Sequence, residues 1–148
     1  MPIPLFNEQG FLPPGIHACS LEEAATRFGS FQGSDCRPRL WAKFKDYFLE
    51  AKSSGLVKFL LLDGSFVTAK ADPGDLDLIV ALVNVSDFAL DFPPFQYNVI
   101  SQHSVRRRFG FDIVAAESGS TRFEMALGFF QQVKQQPGPT KGILRINV

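Results

Sequence analysis

Apolar positions along the chain change period several times, and each change marks an element. In RPRLWAKFKDYFLEAKSSG, the residues Leu40, Trp41, Phe44, Tyr47, Phe48 and Ala51 recur at three- and four-residue spacing. That spacing predicts a long helix with one apolar face, Pro38 in its first turn and Gly55 at its stop. Two apolar runs follow, at residues 57–62 and 76–83, and read as buried strands. A shorter helix is expected earlier, where Ser20 and Glu23 form a capping box ahead of Leu21, Ala24, Ala25 and Phe28. Later come a short helix in ISQHSVRRRFG, a third strand in FGFDIVAAE and a last strand in ILRINV. Thr121 with Glu124 predicts the cap of another helix, with Phe123, Ala126, Leu127, Phe130 and Val133 on one face. NVSDFALDFPPFQYN, split by its proline pair, reads as a surface loop, and QQPGPTKG as a turn. Strands mixed with helices predict an α/β or α+β fold with a small mixed sheet flanked by helices.

Composition narrows this picture. At 148 residues the chain reads as one domain, with residues 1 to about 18 as an extended arm rich in Pro and Gly. Forty-five per cent hydrophobic and 20% charged residues are globular proportions. Fifteen basic residues balance fifteen acidic ones, so no general nucleic-acid-binding surface is expected. The longest apolar run, residues 78–83, is far too short to span a bilayer, and the first residues do not read as a signal peptide. Cys19 and Cys36 have neither CxxC nor metal spacing with His17 or His103, and read as free thiols in a reducing cytoplasm.

The chemistry concentrates between the two apolar runs, in LLLDGSFVTAKADPGDLDLIV. Residues i and i+2 of a strand share a face, so Asp75 and Asp77 are expected side by side, where they repel. A hard cation such as Mg²⁺ or Mn²⁺, which takes one or two carboxylates plus substrate phosphates, would make the pair affordable. Gly64 and Ser65 follow a strand directly, at a turn whose N–H groups and hydroxyl can cradle phosphate. These pieces fit a nucleoside triphosphate chelated to metal. The structural alternative is turn chemistry, since ADPGD favours a turn and Asp75 alone serves as a solvated strand end. An EF-hand is excluded, because Asp72, Asp75 and Asp77 lack its alternate spacing.

Strand, Gly-Ser, a short spacer, Asp-x-Asp, strand is similar to the signature of the DNA polymerase beta-type nucleotidyltransferase superfamily. PGDLDLIV resembles the Pro-x-Asp-hydrophobic-Asp pattern of its minimal bacterial members, and LPPGIH and KGILRI more loosely resemble a group of small proteins within it. The resemblance implies that Gly64 and Ser65 hold the triphosphate, that Asp75 and Asp77 bind two metal ions, and that a third carboxylate binds one of them. Asp112, which heads an apolar strand, is the best third carboxylate, with Asp91 a weaker one; the alternative for Asp112 is an ion pair with Arg106, Arg107 or Arg108. The product implied is an acceptor carrying a nucleoside monophosphate, AMP being the expected one. The neutral charge favours a protein or small-molecule acceptor over nucleic acid, and relatives include antitoxins that modify a partner toxin. The rival expectation is a protein of this fold that has lost catalysis and acts by binding a partner or nucleotide. Members of the superfamily usually place basic residues after Gly-Ser, where this chain has Phe66, Val67, Thr68 and Ala69. Lys70, or else the three arginines, would then supply the cation. Lys141 reads as a turn residue, and Phe88, Phe92, Phe95 and Tyr97 as loop residues packed inward rather than stacked on a base.

Overall fold

The two apolar runs become the centre of a sheet covered on both faces. A computed structural model describes residues 3–83, 93–132 and 141–148. Among them, in chain order, are β1 (Gly15–Ala18), α1 (Leu21–Phe28), α2 (Cys36–Ser54), β2 (Val57–Asp63), β3 (Asp77–Leu82), α3 (Pro94–Ile100), α4 (Gln102–Phe109), β4 (Asp112–Glu117), α5 (Thr121–Phe130) and β5 (Gly142–Asn147). The strands form one mixed sheet in the order β1-β5-β2-β3-β4, an α+β architecture. β2 is antiparallel to both β3 and β5, while β1 runs parallel to β5 and β4 parallel to β3. No helix among the described residues is long and apolar enough to cross a membrane.

The two-residue period of the strands sorts the core into two layers. Leu60, Leu62, Leu78, Val80, Ile113, Leu144 and Ile146 face α1, α2 and α4, whose Phe28, Phe44, Tyr47, Phe48 and Val105 cover them. Phe59, Leu61, Ile79, Ala81, Ala116 and Ile143 face the other way, against Phe123 and Phe130 of α5. Losing any one of the large side chains from such a layer costs about 2–5 kcal/mol. Tyr47 also donates its buried hydroxyl to the Val99 carbonyl at 2.7 Å, tying α2 to α3.

Helix ends follow capping chemistry. Ser20 and Glu23 complete the reciprocal capping box of α1. Gly55 closes α2 in the left-handed region at φ 71°, where a side chain would be strained. Four expectations need correction. The stretch read as a loop around the proline pair becomes α3 from Pro94 onward, because proline is favoured at the first helical position, where its missing N–H costs nothing. Phe95 and Tyr97 of that helix are each 56% exposed, so they do not pack inward. The cap of α5 is Ser120, which accepts from the Phe123 N–H, and Thr121 is already helical. The arm contains β1 rather than extended chain alone. Asp91, Phe88, Phe92 and Val133, and most of the QQPGPTKG stretch, lie outside the described residues.

Candidate functional site

The site is built where β2 ends and β3 begins. Gly64 turns the chain at φ 89°, and a Cβ there would lie 2.9 Å from the Asp75 carbonyl oxygen, so the turn excludes any side chain. Ser65–Val67 then forms a single 3₁₀ turn. Phe66 occupies a position where the resemblance expected a cation, and both it and Val67 are buried. Phe66 stacks parallel to Trp41 at 6.3 Å and meets Phe28 at 6.1 Å, which anchors the turn in the core.

The anion held by this turn is the chain's own Asp75. The Ser65 N–H donates to Asp75 Oδ1 at 2.9 Å, and the Ser65 hydroxyl donates to the same oxygen. That hydroxyl also accepts from the backbone N–H groups of Gly74 and Asp75, at 3.0 and 3.2 Å. Burial opposes the Asp75 charge, yet the hydrogen bonds from Ser65, with Lys141 and Lys70 nearby, hold the carboxyl below its ordinary pKa.

The loop beyond the turn is clamped from α2. Arg37 is 1% exposed and donates to the backbone carbonyls of Phe28, Phe66, Thr68 and Lys70, the last three at 2.6–2.7 Å. The Cys36 thiol donates to the Pro73 carbonyl, and the Ser34 hydroxyl to the Asp72 carboxylate. The start of α2 thus fixes both legs of the loop between β2 and β3. Both cysteines are free, and burial pushes the Cys19 thiol up to about 11, which makes it a poor nucleophile.

Strand register extends the acidic character across the sheet. Asp63 lies opposite Asp77, and Asp77 opposite Asp112. Period two places all three on the α5 face, at one end of the sheet. Asp77 is half-buried, and burial together with the neighbouring Asp75, Asp63 and Asp112 pushes its pKa up to about 6. Asp63 is 4% exposed; burial raises its pKa, and Lys141 opposes the shift. The Lys141 ammonium makes a charge contact with Asp63 Oδ1 at 3.0 Å. At the other end of this row Arg106 forms an ion pair with Asp112, and both side chains are about two-thirds exposed.

A cleft of about 540 Å³ opens at this end of the sheet, walled by Gly64, Ser65, Lys70, Asp75, Asp77 and Lys141, with part of the arm opposite. Five of the six residues singled out from the sequence as binding phosphate or metal therefore share one cleft. Asp112 is the exception. Although it sits beside Asp77 in register, its side chain lines a separate cavity with His103 and Arg106. Arg108 pairs with Glu50 at 2.6 Å, and none of the three arginines lines the cleft.

Asp63, Lys141 and Arg37 were missed by the sequence reading. Asp63 ends an apolar run at the period that brings it to the face of Asp77, a signal present in LLLD. Lys141 and Arg37 carried no local signal, since their partners come from distant segments. Among the described residues no group of three or more His, Cys, Asp and Glu side chains is arranged to hold a metal ion. Asp75 and Asp77, two oxygen donors in one cleft, fit a hard cation that keeps water and substrate phosphates as its other ligands.

Fold and cleft together define an α+β protein with an acidic, lysine-flanked cleft at one end of a mixed sheet. The chain belongs to DUF6932, a family of unknown function, which matches residues 4–147. No curated protein and no solved structure matches it.

Proposed function

We propose that this protein is a metal-dependent nucleotidyltransferase of the polymerase beta type, moving a nucleoside monophosphate, AMP in the first instance, from a triphosphate to a protein or small-molecule acceptor. The observation that carries the reading is the cleft itself: an anion-holding Gly-Ser turn and the Asp-x-Asp pair wall the same space. Asp75 and Asp77 would hold Mg²⁺ or Mn²⁺, which supplies charge neutralisation at the transferring phosphate and at the attacking and leaving oxygens. Gly64 and Ser65 offer backbone and hydroxyl donors to phosphate once Asp75 turns from Ser65 to the cation. Lys70 stands on the same wall.

In the transfer, the acceptor hydroxyl oxygen forms a bond to the α-phosphorus, the bond to the β-phosphate oxygen breaks, and pyrophosphate leaves. The hydroxyl proton goes to a carboxylate of the row. Asp112 takes that part only after Arg106 releases it. A partner toxin remains one protein acceptor within this reading.

The second reading, a protein of this fold that binds a nucleotide or partner without turnover, is favoured by one observation. Asp112 is engaged by Arg106 and lines another cavity. Calorimetric titration with ATP, with and without Mg²⁺, beside the Asp77→Asn variant tests the first reading. Metal-dependent binding lost in a folded variant supports it. Silence of the wild type toward ATP and the other nucleoside triphosphates refutes it. Pyrophosphate release on incubation with candidate acceptors then separates transfer from binding alone.

A further inference from the structure

We propose that Lys141 is the phosphate-binding cation of the cleft, carried by the approach to β5 in place of the basic residues that the Gly-Ser segment lacks. The inference rests on the nucleotide reading above and assigns a residue within it.

Three observations lead to Lys141. First, a triphosphate entering a cleft lined by Asp75 and Asp77 needs protein cations besides any metal, and the residues after Ser65 cannot provide them. Phe66 and Val67 are committed to the core, and Thr68 and Ala69 are uncharged. Secondly, the other cations near the loop are spent or elsewhere. Arg37 faces inward, with both terminal nitrogens engaged by four carbonyls, Arg106 pairs with Asp112 and Arg108 with Glu50. Thirdly, Lys141 is only 18% exposed at its side chain, yet it lines the cleft beside Gly64, Ser65 and Asp77. Lys70 shares the cleft but lies on the exposed loop, free to follow solvent.

Asp63 explains how such a lysine is held in place. Its carboxylate, almost wholly buried at the end of β2, fixes the ammonium 3.0 Å away at the cleft wall. A lysine carries three donors, so one can stay on Asp63 while others reach a phosphate oxygen. The aspartate orients the cation and also weakens its pull on an incoming anion. A purely structural pair would leave phosphate binding indifferent to both residues.

The test is calorimetry on the full chain in Mg²⁺, with ATP in one arm and inorganic tripolyphosphate in the other. Removing one charge-assisted contact costs tenfold or more, so Lys141→Met is expected to weaken both ligands by about tenfold, with Lys141→Arg recovering most of the loss. Because Lys141→Met strands a buried carboxylate, the double variant Asp63→Asn/Lys141→Met provides a form with neither charge, and the same loss is expected there. Asp63→Asn alone frees the ammonium and should tighten both ligands about threefold, a gain that should vanish in the Lys141→Met background, as simple removal of a nearby carboxylate would not. Binding by the double variant within about twofold of wild type overturns the assignment while leaving the nucleotide reading intact. Loss for ATP with tripolyphosphate unaffected moves Lys141 to the nucleoside and also overturns it. If wild type binds neither ligand nor any other nucleoside triphosphate, the nucleotide reading falls and this assignment falls with it.

Discussion

The aspartate row has two ends, and each is closed by a cation. At the β2 end Lys141 meets Asp63, with side chains 18% and 6% exposed; at the β4 end Arg106 meets Asp112, at 66% and 64%. Sheet, face and register are shared, so the difference lies in water. A pair screened by solvent gains little and costs little to break, whereas a buried carboxylate that loses its cation has nothing to replace it. The buried end therefore shapes the cleft, and the exposed end is free to change partners. Of the two end carboxylates, the one singled out from the sequence, Asp112, stands at the exchangeable end, and the overlooked one, Asp63, at the fixed end.

The largest effect is expected where burial is deepest. Lys141→Met should lower stability by about 3 kcal/mol, because it leaves Asp63 without its charge partner. Adding Asp63→Asn should return the protein to within about 1 kcal/mol of wild type, a coupling visible in a double-mutant cycle by urea denaturation. Independent, additive losses from the two substitutions would remove the distinction between the ends.

An effect of opposite sign is expected in the middle of the row. Folding raises the Asp77 pKa from its ordinary 3.8 to about 6, so the folded state binds the proton more tightly than the unfolded chain. The stability this contributes is complete below about pH 4 and is lost as pH rises through about 6. Asp77→Asn should therefore be more stable than wild type by roughly 1 kcal/mol near pH 7.5, after allowing for solvent screening of a half-buried group. The gap should close toward about pH 4 in denaturation curves taken across the range. A variant less stable than wild type at neutral pH would mean that the Asp77 charge is already satisfied by its surroundings.

How much of this was readable in the chain depends on whether the cause is local. Ser20 with Glu23, the apolar face of α2 and the apolar runs of β2 and β3 are written within a few residues, and the structure contains each of them. α3 was misread because a proline pair breaks a helix from inside but starts one from outside, and only the flanking structure decides which. Ser120 and Thr121 both carry a hydroxyl, so the cap of α5 hung on a one-residue choice. The site divides in the same way. Gly64, Ser65, Asp75 and Asp77 lie on one hairpin, so their convergence follows from β2 and β3 pairing. Lys141 reaches Asp63 only because β5 lies antiparallel beside β2, and Arg37 reaches the loop only because α2 packs against the turn. Pairings between distant segments leave no periodic trace in either one.

The smallest effect should come from the exposed end. Arg106→Met breaks the Asp112 pair, but solvent screens both charges, so stability should change by less than about 0.5 kcal/mol. Its value lies in what it releases. Asp112 is already opposite Asp77 in register, and without the guanidinium its carboxylate is free to turn along the row. Under the enzyme reading, pyrophosphate release with a competent acceptor should hold or rise in Arg106→Met and fall in Asp112→Asn. If Asp112→Asn matches wild type in the same assay, Asp112 takes no part in transfer, and the row's chemistry ends at Asp77. A stability loss in Arg106→Met approaching that of Lys141→Met would show instead that the two ends are equivalent, and that exposure does not set the strength of these pairs.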